Sequence, residues 1–190
     1  MPEKKSFKIY YLLLTEGTAE FNLFGYLTTK KFKGEFEDSN VQFSIKVEII
    51  DAGISQGKLN GVGDFASFNS KYNAIKDDGR YVGQKLFFLI DKDFDDSSQV
   101  KNLIEQDENI VQFVEYNSEH LLLRFGGKKP KNPKDFKNMG EFRNYCKGEF
   151  QKQFNKKASE FKDDDFDSVF VNIENDEIKR AFAELFSTLS

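Results

Sequence analysis

Short apolar runs alternate along the chain with segments of helical spacing, a rhythm that predicts strands and helices in turn. Phe7 to Leu14 ends in a continuous apolar run and reads as a first inner strand, followed by a helix from Thr18, as N-cap, to about Thr28. Charged, glycine-containing residues 30–40 read as a surface loop, and Val41 to Ile50 as a second strand with one face partly wet. Asp64 to Lys76 carries Phe65, Phe68, Tyr72 and Ile75 at helical spacing. Lys85 to Ile90 is strand-like, Ser97 or Ser98 caps a helix to about Gln106, and Ile110 to Val114 is a fourth strand. Ser118, with Glu119 in its first turn, caps the next helix. Beyond the Pro- and Gly-containing loop 126–138, Phe142, Tyr145, Phe150, Phe154, Ala158 and Phe161 suggest one or two amphipathic helices whose aromatics are core. The acidic run 163–167 reads as a solvated turn, Val169 to Ile173 as a last strand, and Asp176 to Leu189 as a closing helix.

Strand–helix alternation of this kind predicts an α/β fold: a three-layer α/β/α, Rossmann-like, mostly parallel sheet of four or five strands. With 190 residues, one core with an appended subdomain is the natural expectation. The division expected is a catalytic domain over 1–125 and a basic helical extension over 126–190, packed on the same core.

Composition narrows the chemistry. One cysteine and one histidine exclude an internal disulfide, a thiolate-rich cluster and a multi-histidine metal centre. Any metal would rest on oxygen. No apolar stretch is long enough for a membrane span or a secretory signal, so the expectation is a soluble, cytoplasmic protein with no membrane partner. The net charge of −4 conceals segregation: residues 124–162 hold 12 Lys and Arg against 4 Asp and Glu, a net +8, which leaves −12 on the remainder. A basic module beside an acidic one suits a polyanion held against a cation site, although a solvated helix face would give the same counts.

The strand Phe87–Ile90 runs straight into Asp91, Asp93, Asp95 and Asp96. Ligands bind beyond the carboxyl ends of parallel strands, and alternation along extended chain aims Asp91 and Asp93 the same way, towards a shared hard cation. Helix capping alone would also account for acids there. Glu16 stands between the first strand and Gly17, where an acid has little structural work to do; Glu20 suits the helix dipole. Asp51, Asp95 and Glu119 are further candidates at strand exits, and Lys128, Lys129, Lys131 and Lys134 are candidate nucleic-acid contacts. The glycines at 57, 61 and 63 do not form a phosphate loop, because Gly57-Lys58-Leu59-Asn60 lacks the hydroxyl residue that follows lysine there.

An EF-hand fails at Asp96, where glycine is needed, and at Asn102, where glutamate is needed. A phosphatase of the haloacid dehalogenase type would use Asp91 as nucleophile and Asp93 as acid/base, but its motif usually opens a chain. The pair Glu16-Gly17 with Glu20, followed by an apolar strand ending in Asp91 and Asp93, resembles the Toprim domain over residues 7 to 125. The spelling of that turn, and the segment Asn117 to Phe125, look most like the small stand-alone Toprim proteins of the RloB and OLD-nuclease groups. The resemblance implies Mg²⁺- or Mn²⁺-dependent cleavage of phosphodiesters in DNA or RNA, in phage defence or nucleic-acid maintenance, often beside a separate ATPase. Asp91, Asp93 and Glu20 would be metal ligands, and Glu16 a ligand or general acid/base. A Toprim-like binding module without catalysis is the other class left open.

Overall fold

The computed structural model describes residues 7–93 and 96–190. Their order is β1 (Ile9–Thr15), α1 (Thr18–Tyr26), α2 (Lys33–Asp38), β2 (Val41–Ser44), α3 (Phe65–Asp77), β3 (Lys85–Asp91), α4 (Ser97–Gln106), β4 (Ile110–Val114), α5 (Ser118–Phe125), α6 (Met139–Phe154), α7 (Asp163–Phe170), α8 (Asn175–Ala181) and α9 (Ala183–Ser187). The four strands form one all-parallel sheet in the order β2-β1-β3-β4. The chain therefore builds outward from β1 to β2, then crosses back to β3 on the other side. That reversal leaves a crevice between the carboxyl ends of β1 and β3, the place where such sheets bind ligands.

Strand alternation sorts the core into two faces. Tyr11, Leu13, Phe87 and Leu89 pack with α1, α2 and the helices from α5 onward, while Leu14, Leu86, Phe88 and Ile90 pack with α3 and α4. This is the expected three-layer α/β/α arrangement. Phe150, Phe161, Phe166, Phe170 and Phe182 of the C-terminal extension lie in the same cluster as Leu23 and Phe87. Gln112, buried in β4, donates to the Ala181 carbonyl at 3.2 Å and accepts from the Glu184 amide at 2.9 Å, which fastens the last two helices over that strand. Among the described residues no helix is long and apolar enough to cross a membrane.

Several local expectations are corrected. Residues 30–40 are not a loop: a π-helical turn, Leu27–Lys31, leads into α2, because Phe32 and Phe36, four apart, are both buried, with Phe186 packed against each. The second strand ends at Ser44, six residues early. Its place beside the end of β1 is taken by residues 57–60: Thr15 N–H donates to Gly57 O at 2.7 Å, Leu59 N–H to Thr15 O at 2.8 Å and Asn60 N–H to Glu16 O at 3.0 Å. Gly57 has φ +70°, and a Cβ there would stand 2.5 Å from Leu13 O, so only glycine fits. The acidic run 163–167 forms the first turn of α7, where its charge faces the positive end of the helix dipole, and Asp165 accepts from the Lys162 amide at 2.9 Å. No strand forms over 169–173, since Phe166, Val169 and Phe170 share one buried helical face. The closing helix breaks at buried Phe182 into α8 and α9.

Candidate active site

Two strand ends and two helix starts meet in the crevice. Glu16 follows β1, and its backbone N–H donates to Leu89 O at 3.1 Å, which ties the turn to the neighbouring strand. Its side chain reaches across the same gap, where Glu16 Oε2 accepts from the Asp91 amide at 3.2 Å. Gly17, not Thr18, is the residue preceding α1, and its amide donates to Glu20 Oε2 at 2.9 Å, so Glu20 folds back over the turn that carries Glu16. The second strand end is Asp91 itself. The second helix start is α5, capped by Asn117, whose Oδ1 accepts from the His120 amide at 2.9 Å.

That capping by Asn117 releases Ser118 for another task. The Ser118 hydroxyl lies 2.7 Å from Glu20 Oε1 and 3.3 Å from Asp91 Oδ1, and its amide donates to Asp91 Oδ1 at 3.1 Å. A hydroxyl has one proton to give, so it serves Glu20 while the amide serves Asp91. Tyr116, in the turn before the cap, holds φ +63°, an unfavourable region for a ring-bearing residue; its ring packs against His120 and Phe142, at 4.8 and 5.6 Å. Asp93 continues past β3 towards α6. Its carbonyl accepts from Arg143 Nη2 at 2.7 Å, and its Oδ2 lies 2.9 Å from Arg143 Nε. The Nε–H itself finds no hydrogen-bond partner, so the carboxylate and guanidinium are held by charge more than by alignment.

Four carboxylates thus share a cleft of about 740 Å³, with Glu119 beside them and Arg143 and Lys147 on the facing wall. Burial pushes the Glu16 carboxyl up to about 8, helped by repulsion from Glu20 and Asp93. Burial likewise raises Glu20, against the opposing hydrogen bond from Ser118. Asp91 is driven well above the usual carboxylate range by burial, then by Glu20 and Glu16. Asp93 is also raised by burial, with Arg143 pulling the other way. Burial raises Glu119 as well. The cleft holds more negative charge than its own cations offset, and it must take up protons or a cation.

A divalent metal fits this donor set in kind: every candidate ligand is a carboxylate oxygen, the type Mg²⁺ and Mn²⁺ prefer. The described side chains do not close a coordination shell by themselves, and no three of them stand as a ready metal-ligating group. Glu20 and Asp91 face Ser118 and Asp93 faces Arg143. Mg²⁺ usually keeps several waters and needs only one or two carboxylates, so an open shell suits it.

The structure separates the remaining candidates. Glu119 lines the cleft. Asp51 sits exposed in the 3₁₀ turn Ile50–Ala52 and does not line it. Asp95 lies outside the described residues. His120, one position from Glu119 and so turned about 100° around the helix, is buried between Tyr116 and Phe142. Lys128 and Lys129 line a different depression of about 310 Å³, with Tyr145, Glu149 and Lys152, while Lys131 and Lys134 line neither. The basic residues in the cleft are Arg143, Lys147 and Lys157, which sequence reasoning missed. Their available signal was the polar stripe 143, 147, 151 on α6, four residues apart. Comparisons with protein-family models, with curated proteins and with solved structures find no match for this chain.

Proposed function

We propose that this chain is a Mg²⁺- or Mn²⁺-dependent nuclease of the Toprim type, acting on DNA or RNA. One observation carries the reading: Glu16, Glu20, Asp91 and Asp93, from segments 75 residues apart, line a single cleft, in which Glu16 accepts from the Asp91 amide, Glu20 and Asp91 meet at Ser118, and Asp93 pairs with Arg143. Asp91, Asp93 and Glu20 would hold the cation. When bound, it supplies positive charge against the charge developing on phosphorus and lowers the pKa of a coordinated water. The protein's own contribution is a proton at Glu16. Burial pushes the Glu16 carboxyl up to about 8 in the metal-free cleft, and in the reaction it would give its proton to the leaving oxygen as the P–O bond breaks, while the attacking water adds to phosphorus and releases its own proton to solvent. Ser118 holds Glu20 and Asp91 in place. A cytoplasmic setting, a role in phage defence or nucleic-acid maintenance, and a separate ATPase partner belong to the same proposal, through the Toprim resemblance.

The test is cleavage of plasmid DNA and of RNA in Mn²⁺ by the full chain and by Asp91→Asn and Glu16→Gln. A nuclease of this design loses at least about a hundredfold in each variant, the scale of removing an acid/base or metal-ligand group. A binding module would shift the mobility of the nucleic acid equally in all three forms and cut it in none. A phosphatase of the haloacid dehalogenase type would hydrolyse a small phosphomonoester, with dependence on Asp91 and little on Glu16. Either outcome replaces the proposal.

A further inference from the structure

Helix α6 presents two basic faces, and only one of them looks onto the acids. Arg143, Lys147 and Gln151 recur every four residues and line the cleft, continued past the helix by Lys157, Ala158 and Ser159. Tyr145, Glu149 and Lys152 lie on the far side of the same helix and line the depression that takes Lys128 and Lys129. Among the described residues lysines without an ion pair stand on both faces, Lys128 and Lys129 included, and the faces differ in what those lysines look onto: only Lys147 and Lys157 line the cleft that holds the carboxylates. Lys152 is paired with Glu149 at 2.7 Å, and Lys131 lies over the Tyr145 ring at 5.8 Å. Lys147 and Lys157 are exposed and form no ion pair among the described residues. Lys147 is near enough to draw down the proton affinity of Asp93 and Glu119.

From this placement we infer that the cleft wall formed by Arg143, Lys147 and Lys157 is the track for the sugar-phosphate backbone of a flexible single strand, and that the lysine-dense loop 128–134 is not. The inference rests on the nuclease reading for what happens to the strand, not for whether it binds. Four residues of helix advance about 6 Å, comparable with the step between successive phosphates in an extended strand. Arg143 is committed to Asp93 and position 151 is glutamine, so the charge free for a strand is Lys147, one such step beyond Arg143, and Lys157 past the helix end, which places one phosphate at the carboxylates and the next along the wall. The opposite rim leaves room: Gly61 and Gly63 line the cleft, and a Cβ on either would meet nothing within 4 Å. The turn carrying Lys157 is anchored to α1, where Asn22 Nδ2 donates to Ser159 O at 3.1 Å and to Phe161 O at 3.2 Å, so the track is held rigidly against the helix that carries Glu20.

The experiment is fluorescence anisotropy with labelled 12-nucleotide single strands, one DNA and one RNA, on the full chain in Ca²⁺ buffer over a range of salt. Charge reversal at the wall, Lys147→Glu with Lys157→Glu, is compared with reversal at the loop, Lys128→Glu with Lys129→Glu. Lys147→Ala with Lys157→Ala guards against repulsion alone, and thermal melting confirms that each variant folds. Wall reversal is expected to weaken binding by more than about tenfold and to flatten the dependence of log affinity on log salt by about 1.4, at about 0.7 for each lost phosphate contact on a single strand. The alanine pair is expected to flatten it equally, and loop reversal to change affinity less than about threefold. Equal losses in the two pairs, a larger loss at the loop, or no binding by the unaltered chain would overturn the inference. Binding that follows the wall without any cleavage in Mn²⁺ would uphold the track and remove the nuclease. The DNA and RNA arms show which sugar the track accepts.

Discussion

Glu16→Gln changes one atom in the most crowded part of the cleft, and its effect can be worked out from the proton. The unfolded chain releases the Glu16 proton near the ordinary value of 4.5, whereas the folded chain holds it up to about 8. Between those values only the folded form binds the proton. The contribution is therefore fully present below about pH 4.5 and is lost as the pH rises to about 8. At full value that gap is worth about 4–5 kcal/mol. Glu16 is only partly buried and shares its protons with three neighbouring carboxylates, which reduces the effect to about 1–2 kcal/mol. Glutamine keeps an oxygen to accept the Asp91 amide and brings no charge. In metal-free buffer the variant should match the parent near pH 5 and melt higher at pH 8, by about 2–8 °C for a chain of this size. Differential scanning fluorimetry from pH 5 to pH 9 reads this directly. Millimolar Mn²⁺ should raise the parent more than the variant at pH 8 and shrink the difference. A variant that melts at or below the parent at pH 8, with no pH-dependent gap, would show that Glu16 carries no such burden.

Three further outcomes follow from contacts in the structure. Ser118→Ala removes the hydroxyl that donates to Glu20 and should cost about 1–3 kcal/mol of stability by chemical denaturation. Because the lost hydrogen bond opposed protonation of Glu20, that variant's cleavage should also fall off at a higher pH on the acid side than the parent's, where an unchanged profile would mean Ser118 does no more than pack. Gly57→Ala places a Cβ 2.5 Å from Leu13 O at a positive φ and should destabilise by at least about 1–3 kcal/mol, with an unchanged denaturation midpoint counting against the pairing described for residues 57–60. Phe142→Ala empties a fully buried ring site against Tyr116, His120 and Phe136 and should cost about 3–5 kcal/mol, measured by urea unfolding; a much smaller loss would mean that α6 is not seated as found.

The strand ending in Asp91 and the turn at Glu16 were legible because both set an apolar run close before acids, which marks a strand end. The parallel order of the strands followed from alternation. What escaped was decided by tertiary contact. Asn117 and Ser118 are equally good caps by type, and only the fold shows that Asn117 takes the cap while Ser118 turns to the carboxylates. Phe32 and Phe36 are too few and too widely set among charges to announce α2. The Val169–Ile173 run is short and apolar enough to suit either strand or helix, and packing of Phe166 and Phe170, four apart, against Tyr26 settles it. The density of lysine at 128–137 drew attention from Arg143 and Lys147, whose significance lies in which side of α6 they occupy.

The borrowed pairing beside β1 has a dynamic corollary. Since residues 57–60, and not β2, complete the end of that strand, the backbone around Glu16 is latched by a loop whose return passes through the small Ile49–Ile54 bridge. Unlatching it would free the Thr15 and Glu16 carbonyls together while the central ladders stayed shut. Amide exchange at Leu59 and Asn60 should accordingly run faster than at Phe88, and the acid at the mouth of the sheet can be loosened without melting the sheet.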